Sequence, residues 1–394
     1  MRLSALALPL VMMPALLLGG CSSDEKKATP AGGTYLSTTA GASFEQSVQA
    51  PDTEDANIAL YDLGRIHRAL QDPNTIVIAA GGSGIVVSYD DGVTWKNIPI
   101  PGMQAAIDVV LLPSGIFIAT GVDSVGQGVA SRSLDSGKSW QNVFTIPLPD
   151  KKPGIQILKG PTAPPATVVA LEIDPKHPDR IWAGTNDGTI LLAEQSGKTW
   201  RKVVEVASPT SAVTGDRQGA GIIRLIASPV NGSDLTIVTK DKRLLEFKDN
   251  KVREVKVPES ISVPTSFGLA LGSRKVLNAI LIPGFPDAFL IGSSDGAVVT
   301  RDKGKSYLPL QLPIDASKTF TSMGLAVSPK NVNRILIAID GIVYRSEDSG
   351  TTWNTTDLPD RQAGLGTTGL RITDMSINPN NPARVLVIAK QSQS

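Results

Sequence analysis

The sequence is poor in cysteine, histidine and aromatic residues and carries almost no net charge. Its 394 residues include one cysteine and two histidines, and Phe, Trp and Tyr together make up 5%. A single cysteine cannot form an internal disulfide, and with so few Cys and His residues we expect no metal site. Basic and acidic residues nearly cancel, at 38 and 37, and no basic stripe is interleaved with aromatic residues. We therefore expect no nucleic-acid partner. No nucleotide-binding loop or nucleophile motif is present, so we assign no cofactor and no catalytic residue.

The chain also lacks an apolar run long enough to cross a bilayer. Its first residues, MRLSALALPLVMMPALLLGGC, carry one basic residue and an apolar run that is interrupted by Pro14 and ends in small residues before Cys21. A membrane span needs roughly 20 apolar residues, so this run is typical of a signal peptide. The polar segment that follows, up to residue 33, has no apolar periodicity and predicts a flexible tether.

The end of this leader, Leu18-Gly19-Gly20-Cys21, resembles the bacterial lipobox. The resemblance implies a lipoprotein signal peptide over residues 1–20 and diacylglycerol on the thiol of Cys21. It further implies a lipid anchor in the bacterial cell envelope, and Ser22 favours the outer membrane, on its periplasmic side or at the cell surface. An ordinary secretory signal that happens to end at a cysteine is the alternative.

What the sequence does contain is a recurring eight-residue pattern. SYDDGVTW (88–95), SLDSGKSW (133–140) and SEDSGTTW (346–353) share S-x-D-x-G-x-[ST]-W. TRDKGKSY (300–307) and AEQSGKTW (193–200) match it in part. We refer to these five segments as the repeat turns. Their key positions are Asp90, Gly92, Trp95, Asp135, Gly137, Trp140, Gly197, Trp200, Asp302, Gly304, Asp348, Gly350 and Trp353.

Each residue type in the pattern has a physical reason. The Asp accepts hydrogen bonds from backbone N–H groups of a turn, and the Gly supplies a positive φ. The Trp buries a large apolar surface against its neighbours. The pattern therefore predicts a β-hairpin corner with a packing anchor. The four aspartates could instead be read as metal ligands, but residues on separate hairpins do not converge on one ion, so we assign them a structural role.

The repeat turns resemble the Asp-box, or BNR repeat, of sialidases, sortilin-type ectodomains, xyloglucanases and photosystem II assembly factors. In those families it marks the turn between the third and fourth strands of a β-propeller blade. The resemblance covers nearly the whole chain after the leader. It implies an all-β fold and leaves function open.

Counting strand units predicts seven blades in one domain over residues 34–394. Six blades are expected near 57–100, 105–147, 166–206, 221–258, 276–312 and 320–358. The last stretch, RITDMSINPNNPARVLVIAK, supplies only two strands. The segment 32–48 has the missing turn, with Thr39 and Phe44 at the Asp and Trp positions. We predict that these N-terminal strands complete the C-terminal blade, which closes the ring and leaves no open edge. A six-bladed ring with flanking tails is the alternative.

The longest loops fall on one face of this predicted ring, where blades are joined and where second strands turn into third strands. We call it the loop face. A ligand-binding site is expected there, with candidate residues Asp123, Asp216, Arg217, Asp360 and Arg361. The two arginines, each in an Asp-Arg-Gln sequence, could hold an anion, or they could be solvated loop charges.

Two functions are consistent with these features. The first is a lipid-anchored, exported platform that binds a protein, peptide or glycan on the loop face. The second is a glycoside hydrolase or lyase of the sialidase or xyloglucanase type, which would need two facing carboxylates about 5–10 Å apart. No pairing of acidic residues is evident in the sequence, so a binding role is favoured and enzymatic activity stays open.

Overall fold

A computed structural model describes residues 30–51, 57–148, 165–208, 220–230, 234–258, 275–315, 318–359 and 370–391. These residues form 28 β-strands and one short 3-10 helix, Ile58–Leu60. None of the helical segments in these ranges is long and apolar enough to cross a membrane. The strands form seven four-stranded sheets, each antiparallel throughout, and the predicted seven-bladed β-propeller is confirmed.

The first three blades follow the chain in order. Blade one consists of β3 (His67–Arg68), β4 (Ile76–Ala79), β5 (Ile85–Ser88) and β6 (Lys96–Ile98). Blade two consists of β7 (Ala105–Leu111), β8 (Phe117–Val122), β9 (Gly128–Ser133) and β10 (Gln141–Ile146). Blade three consists of β11 (Val168–Ile173), β12 (Ile181–Thr185), β13 (Thr189–Glu194) and β14 (Thr199–Glu205).

The next three blades repeat the same arrangement. Blade four consists of β15 (Ile222–Ala227), β16 (Leu235–Thr239), β17 (Leu244–Lys248) and β18 (Lys251–Val255). Blade five consists of β19 (Val276–Leu281), β20 (Phe289–Ser293), β21 (Gly296–Thr300) and β22 (Leu308–Pro309). Blade six consists of β23 (Gly324–Val327), β24 (Ile335–Ile339), β25 (Ile342–Ser346) and β26 (Asn354–Asp357).

Blade seven is built from both ends of the chain. Its strand order is β2 (Glu45–Gln46), β1 (Gly33–Ser37), β28 (Val385–Gln391) and β27 (Leu370–Ile377). β1 pairs antiparallel with β28, and Tyr35 lies opposite Val387. The predicted closure of the ring is therefore confirmed, and a six-bladed ring is excluded. Pairing the two ends in one sheet leaves no free strand edge where the ring closes.

The apolar core is divided among the seven contacts between neighbouring blades. Each of seven buried clusters combines side chains of two adjacent blades. At the ring closure, Leu386 and Ile388 of blade seven pack with Ile76 and Ile78 of blade one. This division follows from the sequence, because the second and third strands of each blade are short apolar runs covered by blades on both sides.

Five of the seven innermost strands carry a register shift against their neighbour. In each case one extra residue bulges out of the pairing, at positions 107, 169, 223, 277 and 373. A bulge bends the strand and re-aims the side chains beside it. All five bulges lie near the loop-face ends of the strands, and they shape the entrance to the central channel.

Candidate functional site

The site residues predicted from the sequence divide into those that the structure describes and those that it does not. Cys21, Asp216, Arg217, Asp360 and Arg361 lie outside the described residues. Asp123 lies in the turn between β8 and β9, on the loop face. Its Oδ1 accepts hydrogen bonds from the backbone N–H of Val125 at 3.0 Å and of Gln127 at 2.8 Å. The Asp123 carboxylate therefore stabilises its own turn through these hydrogen bonds.

The repeat turns each connect the third and fourth strands of a blade, and in the four turns that contain the Asp the side chains form the same hydrogen bonds. In blade two, Asp135 accepts from the backbone N–H of Ser139 at 2.8 Å and from its hydroxyl at 2.6 Å. Ser133 accepts from the N–H of Gly137 at 2.8 Å. Corresponding bonds form at Asp90, Asp302 and Asp348. These carboxylates stabilise the turns and lie on separate blades.

Hydrogen bonding lowers the pKa of all four carboxylates, at Asp90 against an opposing effect of burial. The side-chain bond from Ser139 is the main cause at Asp135, and that from Ser306 is the main cause at Asp302; both have a pKa of about 2. At Asp348 the backbone bond from Thr352 contributes most, and the pKa is again about 2. The charged carboxylate is therefore the form that each turn stabilises.

The glycine of each repeat turn also contacts the preceding blade, which the sequence pattern did not reveal. A Cβ on Gly137 would lie 2.7 Å from Ile98 of blade one, and one on Gly197 would lie 2.5 Å from Ile118 of blade two. Trp95 extends the same contact, since its Nε1 donates to the carbonyl of Ser47, next to blade seven, at 2.9 Å. The repeat turns thus join blades together as well as strands.

The candidate site lies at the loop-face mouth of the central channel. A cavity of about 590 Å³ opens there, and residues from blades one to seven line it. Its wall includes all five bulged residues, Ile107, Val169, Ile223, Leu277 and Thr373. Ile223 is 40% exposed. The mouth therefore offers apolar surface in a ring of rigid strands.

Charged side chains at this mouth are mostly cationic. The lining contains one acidic residue, Asp62, and six basic residues, which are Arg65, Arg224, Lys240, Lys242, Arg371 and Lys390. Lys390 pairs with Asp62, and Arg224 pairs with Asp374 below the mouth. Within the described residues, Lys240, Lys242 and Arg371 form no ion pair. The chain is close to neutral, so the fold has concentrated positive charge at one place.

Beneath the mouth, a layer of buried polar side chains crosses the channel. Asp108, which is fully buried, accepts hydrogen bonds from His67 Nε2 at 2.8 Å and from the N–H of Leu171 at 2.8 Å. Arg65 lies 3.7 Å from Asp108 and 3.9 Å from Glu172. These contacts connect blades one, two and three.

This layer shifts the pKa of two carboxyl groups in opposite directions. Burial opposes the charge on Asp108, but the attraction of His67 and Arg65 outweighs it and lowers the pKa. At Glu172, desolvation dominates and raises the pKa. The Asp108 carboxylate contacts His67, Arg65 and the backbone N–H groups of Val109 and Leu171, and it is shielded from the mouth, so its shift is consistent with a structural role between blades. No group of three or more metal-ligating side chains occurs in the part of the chain that the structure describes.

This mouth is not evident from the sequence because its cations are far apart along the chain. Arg65 and Lys390 are separated by more than three hundred residues, and each lies in an ordinary strand sequence. Only the ring topology brings them to one opening. A usable signal would have been basic residues near the start of a first strand, as at Arg224 and Arg371, and just after a second strand, as at Lys240 and Lys242.

Comparison with known proteins identifies the fold. No known family profile matches the chain, and no curated protein matches it in sequence. Among solved structures, YCF48 from Cyanidioschyzon merolae is similar with a TM-score of 0.53 and 16% identity, over 87% of this chain and 98% of that one. A structure of YCF48 bound to D1 peptide has a TM-score of 0.50 and 15% identity, over 88% and 94% of the two chains.

A third similar structure is the GH74 xyloglucanase from Xanthomonas campestris. Its TM-score is 0.54 with 17% identity, and the match covers 81% of this chain and 51% of the xyloglucanase. At these identities the likeness concerns the fold, so the chain shares a β-propeller architecture with all three proteins.

Proposed function

We propose that this protein is a binding platform whose loop-face channel mouth holds an anionic segment of a partner protein or peptide. We also propose that diacylglycerol on Cys21 anchors it in the bacterial cell envelope. The observation that carries the binding proposal is the composition of the mouth. Its lining contains six basic residues and one acidic residue, together with apolar side chains.

The geometry of the mouth suits a carboxylate-bearing chain. Lys240, Lys242 and Arg371 have no anionic partner among the described residues, and a concave surface with low-dielectric walls strengthens their attraction for an anion. The bulged residues, including Ile223 and Leu277, offer apolar contact at the same level. A partner with acidic and apolar side chains would therefore satisfy both parts of the surface.

The similar solved structures support a peptide partner. One of them is YCF48 bound to D1 peptide, so a propeller of this architecture can bind a peptide.

The second hypothesis is a glycoside hydrolase, because the fold is similar to that of a xyloglucanase. That chemistry needs two facing carboxylates that substrate can reach. In the described mouth the lining acid is Asp62, which pairs with Lys390. Asp108 and Asp374 are 0% and 1% exposed and are engaged with basic groups. The cationic lining therefore favours binding over glycoside hydrolysis.

Charge reversal at the mouth tests the binding proposal. The probe is a fluorescein-labelled peptide of mixed glutamate and leucine residues, and the variant is Lys240→Glu/Lys242→Glu/Arg371→Glu. We expect at least about tenfold weaker binding, together with a strong dependence of the wild-type affinity on salt. The control is Lys138→Glu, in a repeat turn on the opposite face. Equal affinity of the mouth variant and the wild type would contradict the proposal.

The lipid anchor has a separate test. Metabolic labelling with a palmitate analogue should mark the full chain and should disappear in Cys21→Ser. Labelling that persists in Cys21→Ser would refute the anchor and leave the proposal for the mouth unaffected.

A further inference from the structure

The first described residues lie on the loop face, beside the channel mouth. Gly33 begins β1 and pairs with Ala389, near the end of β28. A Cβ on Gly32 would lie 3.7 Å from the Cα of Lys390, which lines the mouth. In the other six blades this position holds the turn from the second strand to the third. The N-terminal chain therefore joins the ring at the rim of the loop face.

Hydrogen bonds to blade seven fix this point of entry. The side-chain Nε2 of Gln46 donates to the carbonyl of Pro30 at 2.7 Å and to that of Gly32 at 2.8 Å. The N–H of Gly32 donates to the hydroxyl of Tyr35 at 2.9 Å. Gln46 and Tyr35 lie opposite each other in the paired strands β2 and β1. The place where the chain leaves the ring is therefore set by the blade that closes it.

The distance from Cys21 to this point is limited by the number of residues between them. Cys21 lies nine positions before Pro30, and nine residues span about 30 Å only when fully extended. A flexible chain of that length has a root-mean-square span of about 17 Å. β7, an innermost strand of seven residues, is about 23 Å long. To reach the opposite face, the chain would have to be nearly straight and pass round blade seven.

The channel mouth opens on the face where the chain leaves the ring. With a lipid anchor on that side, the basic residues of the mouth lie between the ring and the bilayer surface. A soluble partner would have to enter this space from outside, whereas a segment that emerges from the bilayer starts within it. Confinement to the same surface also raises the effective concentration of such a segment.

From this geometry we propose that the channel mouth of the anchored protein faces the bilayer, and that its occupant is an acidic extramembrane segment of a protein embedded in the same membrane. The inference rests on both parts of the proposed function, which are the anchor on Cys21 and the anion-binding mouth. It adds the orientation of the ring and the class of partner.

Energy transfer to the bilayer tests the orientation. The lipidated protein is reconstituted into neutral phosphatidylcholine vesicles that contain a rhodamine lipid as acceptor. Cys21 is the only native cysteine and is blocked by its lipid, so a donor dye labels the added thiol of Ser124→Cys or Lys138→Cys. These positions lie beyond opposite ends of β9, which has six residues and is about 20 Å long.

We expect the label in Ser124→Cys, on the loop face, to transfer energy to the bilayer at least about twofold more efficiently than the label in Lys138→Cys, on the opposite face, because the two sites differ in height by up to the length of a strand. Neutral lipid removes attraction of the basic residues to anionic headgroups as a cause. Equal efficiencies, or the reverse order, would overturn the proposed orientation.

A longer tether provides the matched control. Insertion of about 30 glycine and serine residues after Ser22 leaves the ring and the anchor unchanged but extends the root-mean-square reach to about 34 Å. The difference in transfer between the two labels should then fall to less than about half, because the anchor no longer favours one face. An unchanged difference would contradict the role of the tether on which the proposal depends.

A peptide presented by the bilayer tests the class of partner. The probe is a labelled peptide of glutamate and leucine residues, either free in solution or joined by a short linker to a lipid of the same vesicles. We expect the joined form to reach half-saturation at an at least about tenfold lower total concentration. The variant Lys240→Glu/Lys242→Glu/Arg371→Glu should lose binding of both forms.

The outcomes of this experiment separate the inference from the proposed function. Binding of the free peptide without a gain for the joined form would overturn the inference and leave the proposed function intact. If the wild-type protein binds neither form, the anion-binding mouth is refuted together with the inference. If the protein does not associate with the vesicles, the anchor is refuted, and the inference fails with it.

Discussion

Arg224 of blade four and Asp374 of blade seven meet across the central channel, with Nη1 and Oδ1 3.2 Å apart. The two blades are not neighbours in the ring, so this ion pair joins opposite walls of the channel. Arg224 also donates to Asn278 of blade five at 2.9 Å, and Asp374 accepts from the N–H of Ile66 of blade one at 3.0 Å. One pair of side chains therefore holds four blades beneath the mouth.

Removal of one member of this pair should destabilise the ring. In Arg224→Met, Asp374 stays buried without its cation, and breaking a buried pair in this way costs about 3 kcal/mol in the free energy of unfolding. The double variant Arg224→Met/Asp374→Asn should lose less than the sum of the two single variants. Urea denaturation measures all three. Additive losses would show that the two side chains do not act together.

The contact of Gly137 with Ile98 predicts a difference between two glycine-to-alanine variants. Both Gly137 and Gly115 have positive φ, at +86° and +79°, but a Cβ on Gly115 would meet nothing within 4 Å. Gly115→Ala should cost about 1 kcal/mol from backbone strain alone. Gly137→Ala should cost about 2–4 kcal/mol, because overpacking against blade one is added. Equal losses in thermal or urea unfolding would contradict an interblade role for the repeat turn.

The closure of the ring predicts a sharp boundary for N-terminal truncation. Removal of residues 1–29 leaves β1 and β2 in place, so we expect a monomer that unfolds cooperatively. Removal of residues 1–48 deletes both strands and exposes the edge of β28, which carries the buried residues Val385–Ala389. An unpaired apolar edge favours aggregation, which size-exclusion chromatography would detect. A monomeric, cooperatively folded 49–394 fragment would show that β28 tolerates an open edge.

The repeat-turn carboxylates predict a loss of stability in acid. The pKa of Asp135, Asp302 and Asp348 is about 2 in the folded protein, below the ordinary value of 3.8. A lowered folded-state pKa stabilises the protein above pH 4, and this contribution is lost as the pH falls from about 4 to about 2. The melting temperature should decline over that interval.

A triple variant isolates this effect from that of other carboxyl groups. Asp135→Asn/Asp302→Asn/Asp348→Asn cannot change charge at the three turns, so its melting temperature should vary less between pH 4 and pH 2 than that of the wild type. The variant should also be less stable at pH 7, where the wild-type turns carry charged acceptors. Parallel pH curves for the two proteins would exclude a contribution of these turns to acid sensitivity.

The sequence predicted the fold in detail because the information that it needed was local and repeated. Each S-x-D-x-G turn fixes a hairpin corner, and the apolar strands between turns follow at regular spacing. The last blade lacks two strands, and the segment around Thr39 and Phe44 supplies two. This indicated how the ring closes, and in the structure Tyr35 lies opposite Val387 at the closure. The interblade contacts of the glycines were not predicted, since they depend on which blade precedes which in space.

The candidate site, unlike the fold, could not be predicted from the sequence. The sequence directed attention to loop residues, and of these Asp123 bonds its own turn while the others lie outside the described residues. The channel mouth was not anticipated, since Arg65, Lys240 and Arg371 belong to different blades and resemble ordinary strand-end charges.

The number of blades and the position of each repeat turn follow from the sequence alone, because the hydrogen bonds of a turn act over a few residues. The closure was also predictable, since the N-terminal segment carries the two strands that the last blade lacks, although β1 and β28 lie at opposite ends of the chain. The place where positive charge collects follows from the fold, because the ring of blades brings Arg65, Lys240 and Arg371, which are far apart along the chain, to one opening.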